Sequence, residues 1–523
     1  MTHIGIITTD IARDYPGHLR DESRLIGRAD SISFPRYESD VCATLEQISK
    51  SHTPVTTQGA RTGITGGAVP RGGHILSLGS MNRITGMRLD ARTKRFHLIV
   101  QPGVLLSQLR QAVASKTFDT ADWTPDSLRA LDAFQSSGQW FFPPDPTEAS
   151  AAIGGMVAAN ASGARSFAYG PTRHYVTRLR IAMADGEMLE LVRGARRTTG
   201  RSFRIPTSRG RSIEGVVPSY KMPAGKNASG YFASDNMDII DMFIGSEGTL
   251  GVFTEIELLL LPAPAAVWAV MAFFDDGDNA VRFVRAVRES GLRPAAIEFH
   301  DEHSLALLRT HLAASPAGSR LPTPPPGRHT AIYVEYHGES ESTVSDAVER
   351  LGTAARACCG SEEATWMATE PAELERLKAF RHAIPEAVNM VIDMRRKADP
   401  AITKLGTDMA VPDRELENLL AMYHKGLDSG GFEYVMFGHI GNNHLHVNIL
   451  PRTQAEYDSG KALCLEWARH VIAAGGTVSA EHGIGKLKAT LLAEMYGKQG
   501  IAEMLALKHA FDPAGLLNQG TLF

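Results

Sequence analysis

Cysteine is scarce: the 523 residues contain four, Cys42, Cys358, Cys359 and Cys464, with no C-x-x-C spacing. An adjacent pair is poor geometry for a metal or iron–sulfur frame, so neither a thiolate cluster nor a disulfide scaffold is expected. The chain reads as one from a reducing, cytoplasmic compartment. A run of about 18 apolar residues is also missing. The longest apolar runs, such as Leu258 to Leu261, are strand-sized, so no transmembrane crossing is expected, while peripheral contact with an inner membrane face stays open. The first residues, MTHIGIITTDIARD, carry acids early and lack a basic region followed by a long apolar one, so no signal peptide is expected. Excess charge of either sign is absent too. Lys plus Arg number 54 against 58 Asp plus Glu, a net charge of −4, which excludes a global positive field for nucleic acid or an anionic bilayer.

What is present is an ordinary folded composition, 43% hydrophobic and 21% charged, in a chain long enough for two or three domains. Apolar positions recur at helical spacing from Tyr37 to Ser51, and Pro54 then opens an extended stretch into a glycine cluster. Further strands are predicted at Phe96 to Val100, Val176 to Ala184 and Gly251 to Leu261. The last ends in the Ala/Pro run Pro262 to Ala266, which is the expected boundary between a domain 1–262 and a domain 263–523. Beyond it, strands at Val267 to Phe274, Ala295 to Phe299 and Ala331 to Tyr336 alternate with helices at Asn279 to Ser290 and Thr343 to Ala357, a second α/β or α+β unit. The Pro-rich segment 314–327 reads as a surface loop. Between Arg193 and Lys226 nine basic residues face one acid, Glu214, and the stretch reads as a long mobile excursion. A solvated hairpin explains it, as does a docking surface for an anionic partner or lipid head groups.

Glycine is the one residue in excess, 49 in all, and it is clustered. Gln58 to Gly73 reads QGARTGITGGAVPRGG, six glycines directly after a predicted strand. Such a loop lets backbone N–H groups approach a ligand and can form a nest for a pyrophosphate; it can equally be a tight turn. It is not a P-loop, because no Gly-Lys-Ser/Thr follows. Pro143 to Gly170 reads PPDPTEASAAIGGMVAANASGARSFAYG, and Ile244 to Gly251 reads IGSEGTLG before another strand. These three loops, in this order over about Ser33 to Leu261, resemble the flavin-binding domain of the vanillyl-alcohol oxidase and p-cresol methylhydroxylase family of FAD enzymes. The resemblance implies a two-part α+β FAD-binding domain with an N-terminal helical segment. It implies that Gln58, Gly59, Ala60, Arg61, Thr62, Gly66 and Gly67 contact the FAD pyrophosphate, and that Pro144, Gly154, Gly155, Ala158, Asn160 and Gly163 line the flavin and adenine path. Gly248, Leu250, Gly251 and Val252 would complete it. Ala60 and Arg61 stand where the family commonly has glycine; Arg61 either adds charge near the pyrophosphate or lies in solvent. With no His or Cys in the first loop, FAD is expected to be held noncovalently.

The second half carries FGHIGNNHLHVNIL (Phe437 to Leu450) and SAEHGIGK (Ser479 to Lys486). His444, His446 and Asn448 alternate along a predicted strand and so share a face. His and Glu clustered in this way are a metal-ligand signal, and the N/O donor set suits Zn or Mn. H-x-G-x-x-x-L-H followed by S-A-E-H-G-x-G, with FDPAGLLNQG (Phe511 to Gly520) as a closing motif, resembles the FAD-linked 2-hydroxy-acid dehydrogenases that include the D-lactate and D-2-hydroxyglutarate enzymes. That resemblance implies a C-terminal cap domain, α/β with an antiparallel sheet and a helical end. It implies His439, His446 and Glu481 as ligands of a divalent metal and His482 as catalytic base. It further implies Arg381, Lys404 and Asn448 as substrate residues and Asn518 as a cofactor contact. His444 is either a bystander or a change in ligation. Pro385 replaces a hydroxyl-bearing residue of the hydroxyglutarate enzymes. The expected reaction is oxidation of a D-2-hydroxy acid to the 2-keto acid with FAD as hydride acceptor. A quinone, a cytochrome, an electron-transfer flavoprotein or oxygen remains open as the next acceptor, and a homodimer is a possible assembly. The alternatives are an alkylglycerone-phosphate synthase-like transferase, in which another His would be expected at Glu481, and a non-catalytic FAD-carrying subunit.

Overall fold

The computed structural model describes residues 5–314, 321–360 and 364–523. The helix Glu38–Lys50 starts where the Asp40 carboxylate accepts the N–H groups of Arg36 (3.0 Å) and Tyr37 (2.8 Å). Its Val41, Leu45 and Ile48 fall on one face and are buried, as their spacing requires. The chain then enters the parallel strand Val55–Gln58, which lies beside His74–Ser77, itself paired with Ser31–Ser33. A second, antiparallel sheet runs in the order Ile84–Leu89, Phe96–Val100, Val252–Leu259, Val176–Ala182, Met188–Val192. The predicted strand Gly251 to Leu261 is interrupted at Leu260. Leu261–Pro262 pairs instead with Trp140–Phe141, a placement that suits a proline unable to donate to a central ladder.

The second half is built on a larger antiparallel sheet ordered Trp366–Ala368, Ala266–Phe274, Thr330–Gly338, Ala296–His300, Tyr434–Gly438, His444–Ile449, Leu405–Gly406. The helices Gly277–Glu289 and Glu341–Ala357 cover one face through Phe283, Val284, Val287, Val344 and Leu351. Glu302–Ala314 and the long helix Pro371–Arg396 cover the other through Leu305, Leu308, Leu377, Phe380 and Ile384. The architecture is α+β, as expected, with helices Leu416–Gly430, Gln454–Ala473 and Ala489–Phe511 completing it. Of the expected Pro-rich loop, residues 315–320 lie outside the described residues, and 321–327 carry neither helix nor strand.

The basic stretch from Arg193 to Lys226 contains the hairpin that was one of its two expected forms, but not the expected unbalanced charge. Its centre is the hairpin Ser202–Pro206 with Ser212–Val216, and several of its charges are paired with acids from elsewhere in the chain. Arg193 pairs with Asp241 (3.0 Å), Arg201 with Asp235 (2.7 Å), Arg211 with Asp185 and Glu187 (2.9 and 3.0 Å), and Lys226 with Glu481 (2.6 Å). Counting charge along the chain overstated the local excess, because the compensating carboxylates arrive through tertiary contacts.

Candidate active site

Strands Tyr434–Gly438 and His444–Ile449 form a hairpin in which His446 lies opposite Phe437. Gly438 (φ +128°) admits no side chain: a Cβ there would come within 2.8 Å of the His446 ring. The close approach brings His439, at the end of the first strand, to His446 with ring centroids 5.4 Å apart. His439 Nδ1 meets Glu298 Oε1 at 2.8 Å and His446 Nδ1 meets the Thr407 carbonyl at 3.1 Å. Each partner holds its imidazole through Nδ1 and leaves Nε2 facing inward. Both Nε2 atoms lie 3.2 Å from Glu481 Oε1, and His482 Nε2 lies 3.5 Å from the same oxygen. The expected ligand set therefore converges. Ligand atoms of His439, His444, His446 and Glu481 all fall within 4.8 Å of one another, as do those of Asp408, His446, Glu481 and His482. Inward-facing Nε2 atoms backed by a carboxylate and a carbonyl are a donor set that fits a divalent metal. His444 is fully buried, its Nε2 3.0 Å from Asp408 Oδ1 but without a hydrogen bond of good geometry.

Asp408 shapes the turn that carries Glu481 and His482. It accepts the backbone N–H groups of Glu481 (3.2 Å) and His482 (3.0 Å), the Ser479 hydroxyl (2.6 Å) and the Lys488 ammonium (2.7 Å). Burial opposes its ionisation, but His482 and Lys488 outweigh it and hold Asp408 well below the ordinary carboxylate range. Glu481 is likewise held well below that range: burial opposes, and Lys226 and His439 prevail. Burial pushes His482 down to about 4 against the pull of Asp408 and Glu481, so its ring is neutral near pH 7. Its side chain keeps 29% exposure, the most of this group.

Three members of the site were not singled out by sequence: Glu298, Asp408 and Lys226. Glu298 had a signal, a lone acid amid the apolar strand Ala296–His300. Asp408 and Lys226 sit in loops with no distinguishing pattern. Of the expected substrate residues, Arg381 on helix Pro371–Arg396 is buried over the Tyr333 ring (4.8 Å) and donates to Glu298 Oε2 at 3.2 Å, which links it to His439. Its Nε has no partner among the described residues. Pro385, one turn on, withholds the N–H that the Arg381 carbonyl would otherwise receive. Asn448 is buried beside Gly406. Lys404 makes no ion pair among the described residues; burial and Arg24 both lower its pKa.

The glycine loops come together on the other side of this turn. Asn518 (φ +45°) accepts the Thr57 N–H at 2.8 Å and donates to the Glu247 carbonyl at 2.7 Å, joining the first loop to the third. Glu247, pushed by burial up to about 7, accepts the N–H groups of Ile484 and Gly485 at 2.7 Å each and so ties the third loop to the His482 turn. The Gln58 side chain is spent on the chain itself, bonding His18 and the Ala68 carbonyl, and Arg61, half-buried and without an acid partner among the described residues, has its Nη1 3.4 Å from His18 Nδ1. Packing requires several glycines: a Cβ at Gly154 would strike Pro102, at Gly163 the Asp145 carbonyl, at Gly248 the Asn518 amide, and at Gly251 Ile181. Gly155 is exposed with nothing within 4 Å of its missing side chain, while Gly59 would meet only the Ala152 methyl at 3.1 Å and Gly155 N at 3.9 Å. Open backbone at the first two loops fits the close approach that a dinucleotide needs. Ala60, Thr62, Gly66, Gly67, Pro144, Ala158, Asn160, Leu250 and Val252 lie in or beside the same loops, with Leu250 and Val252 fully buried.

Comparison with known proteins matches both halves. The family described as FAD linked oxidases, C-terminal domain, matches residues 263–522, and the family described as FAD binding domain matches 29–124 and 127–192. Glycolate oxidase subunit GlcD of Bacillus subtilis (strain 168) is 28% identical over 498 residues, 94% of this chain and 89% of the relative. D-lactate dehydrogenase of Anaerostipes hadrus is 28% identical, covering 96% and 91%. D-2-hydroxyglutarate dehydrogenase of Xanthomonas citri pv. viticola is 27% identical, covering 94% and 89%. Among solved structures, alkyldihydroxyacetonephosphate synthase superposes with a TM-score of 0.65 at 15% identity, covering 98% of this chain and 81% of that one. 4-Ethylphenol oxidase from Gulosibacter chungangensis does so with 0.65 at 16%, covering 99% and 94%. At those identities the structures speak for the fold alone.

Proposed function

The chain belongs to the FAD-linked oxidases, and from that membership we propose that it oxidises a D-2-hydroxy acid, of the D-lactate or D-2-hydroxyglutarate class, to the 2-keto acid. It is an FAD-dependent oxidoreductase, in keeping with relatives named for glycolate, D-lactate and D-2-hydroxyglutarate. The observation that carries the reading is the convergence of His439, His446 and His482 on one oxygen of Glu481, with Arg381 reached through Glu298.

In this reading the backbone of the loops at Gly59, Gly155 and Gly248 holds FAD noncovalently, and FAD supplies the hydride acceptor. His439, His446 and Glu481 hold a divalent metal, Zn or Mn, whose Lewis acidity would lower the pKa of the substrate hydroxyl. Neutral His482 takes the hydroxyl proton at Nε2, the nitrogen on the Glu481 side of its ring, with Nδ1 toward Asp408. The Arg381 guanidinium, whose Nε is without a partner among the described residues, binds the substrate carboxylate, with Lys404 and Asn448 as further polar contacts. With Pro385 in place of a hydroxyl, a small monocarboxylate fits better than a dicarboxylate. A cytoplasmic setting and a quinone, cytochrome or flavoprotein acceptor belong to the same proposal.

Anaerobic flavin bleaching by D- and L-lactate, glycolate, 2-hydroxyglutarate and malate tests it. Bleaching by D-lactate or glycolate, with little by the L-isomer, is the expected result. A protein that stays colourless after FAD addition removes the cofactor, and one bleached by none of these acids removes the reaction. Turnover of acyl dihydroxyacetone phosphate with a fatty alcohol would instead establish the transferase.

A further inference from the structure

Lys226 reaches the site from a segment of the other half. Its side chain is 4% exposed and its Nζ lies 2.6 Å from Glu481 Oε2, the oxygen turned away from the histidines. Oε1 faces His439, His446 and His482 at 3.2, 3.2 and 3.5 Å, and Ser162 Oγ stands 3.5 Å from Oε2. The lysine is held there by its neighbours. Ala228 N–H donates to the Ser479 carbonyl at 2.8 Å, Ser229 Oγ meets Thr477 Oγ1 at 2.8 Å, and Thr477 Oγ1 donates to Asn227 Oδ1 at 2.6 Å. All three contacts fall on Thr477 and Ser479, just before Glu481, so the loop is registered on the turn it serves. An ammonium removed from water is strongly unfavourable unless it answers a buried charge, and here that charge is a carboxylate otherwise surrounded by imidazoles and a hydroxyl.

We propose that Lys226 and the divalent metal are alternative counter-ions of Glu481: the lysine is a built-in placeholder that satisfies the buried carboxylate in the metal-free protein and sets how tightly the metal is held. The inference rests on the reading of His439, His446 and Glu481 as metal ligands. A cation on one carboxylate oxygen withdraws charge from the other and repels a second cation placed there. Lys226 therefore stabilises the metal-free state and weakens metal binding, which keeps the metal exchangeable. A lysine that merely anchored its loop would stabilise both states alike.

The test uses full-length, FAD-loaded protein as wild type, Lys226→Met, Lys226→Gln and Lys226→Arg. Gln is neutral but keeps a donor for Glu481 should Met fail to fold. Each is stripped with a chelator, titrated with Zn or Mn against a competing chromophoric chelator, and melted with and without metal. The neutral variants are expected to bind metal tighter by about tenfold or more, to melt lower than wild type without metal, and to close that gap when metal is added; Arg behaves as wild type. Equal or weaker affinity in the neutral variants, or a melting deficit that persists with metal, overturns the placeholder role. Wild type that binds neither metal overturns the metal reading itself, and the inference with it.

Discussion

His482 is the residue on which the proposed chemistry turns, because it combines a neutral ring with the greatest exposure in the group. Truncating it removes no ligand of the proposed cofactor cradle. The His482→Ala variant is expected to stay yellow and to lose flavin bleaching by substrate by about 10²–10⁴-fold, the usual contribution of a general base. Stopped-flow bleaching that proceeds at the wild-type rate would remove His482 as the base. The residues legible in the sequence, His439, His444, His446, Glu481 and His482, were those packed into two short motifs whose local geometry carries them to one place. Glu298, Asp408 and Lys226 come from a strand, a connection and a loop far apart in the chain, and of the three only Glu298, a lone acid in an apolar strand, stands out locally. Only tertiary packing makes them partners of the motifs, so no spacing rule could have found them. Arg61 shows the same limit: its neighbour His18 lies 43 residues away, a contact that no local pattern announces.

At the scale of elements, the helix Glu38–Lys50 was legible because burial of one face imposes a period, and the strand Phe96–Val100 as a short apolar run of strand length. The small parallel sheet was only partly legible, since its strand His74–Ser77 is buried at every position and shows no alternation. That strand begins with a buried His74 whose Nδ1 and Nε2 meet the hydroxyls of Ser31 (2.9 Å) and Ser33 (2.8 Å) on the neighbouring strand. Burial pushes His74 down to about 4 from its ordinary value. A histidine depressed on folding binds its proton more readily when unfolded, so stability is full above about pH 6.5, falls as pH drops from there toward 4, and levels off below. The loss amounts to about 3 kcal/mol over that window. Urea denaturation of wild type and His74→Gln from pH 7 to pH 4 measures it: the two curves should converge as pH falls. Parallel curves would show that His74 is not the titrating group.

At the scale of the whole molecule, the proposed boundary at 262/263 divides the chain more cleanly than it divides the structure. Arg165 in the second glycine loop pairs with Glu335 of the large sheet at 2.6 Å, and the C-terminal residues return to the first half. The Val55 N–H donates to the Leu516 carbonyl (2.8 Å) and the Asn518 N–H to the Val55 carbonyl (2.7 Å), so the tail pairs alongside the start of the strand that feeds the first glycine loop. What fixes the tail is the buried pair Lys508–Asp512. Lys508 Nζ donates to Asp512 Oδ2 (2.9 Å) and to the carbonyls of Thr249 (3.0 Å) and Leu517 (2.9 Å), while Asp512 accepts the N–H groups of Leu516 (3.0 Å) and Leu517 (2.8 Å). One ion pair thus connects the third glycine loop, the last helix and the tail. Asp512→Leu would strand a buried ammonium and two N–H groups, at a cost of about 3–5 kcal/mol. Asp512→Asn keeps an amide oxygen for the N–H groups but not the charge, and should fall between. Because Asn518 joins the first and third loops, the loss is expected to reach the cofactor: Asp512→Leu should release FAD on gel filtration and show raised free-flavin fluorescence before it unfolds. A variant as stable as wild type that keeps its FAD would mean that the tail rides on the first half without holding it together.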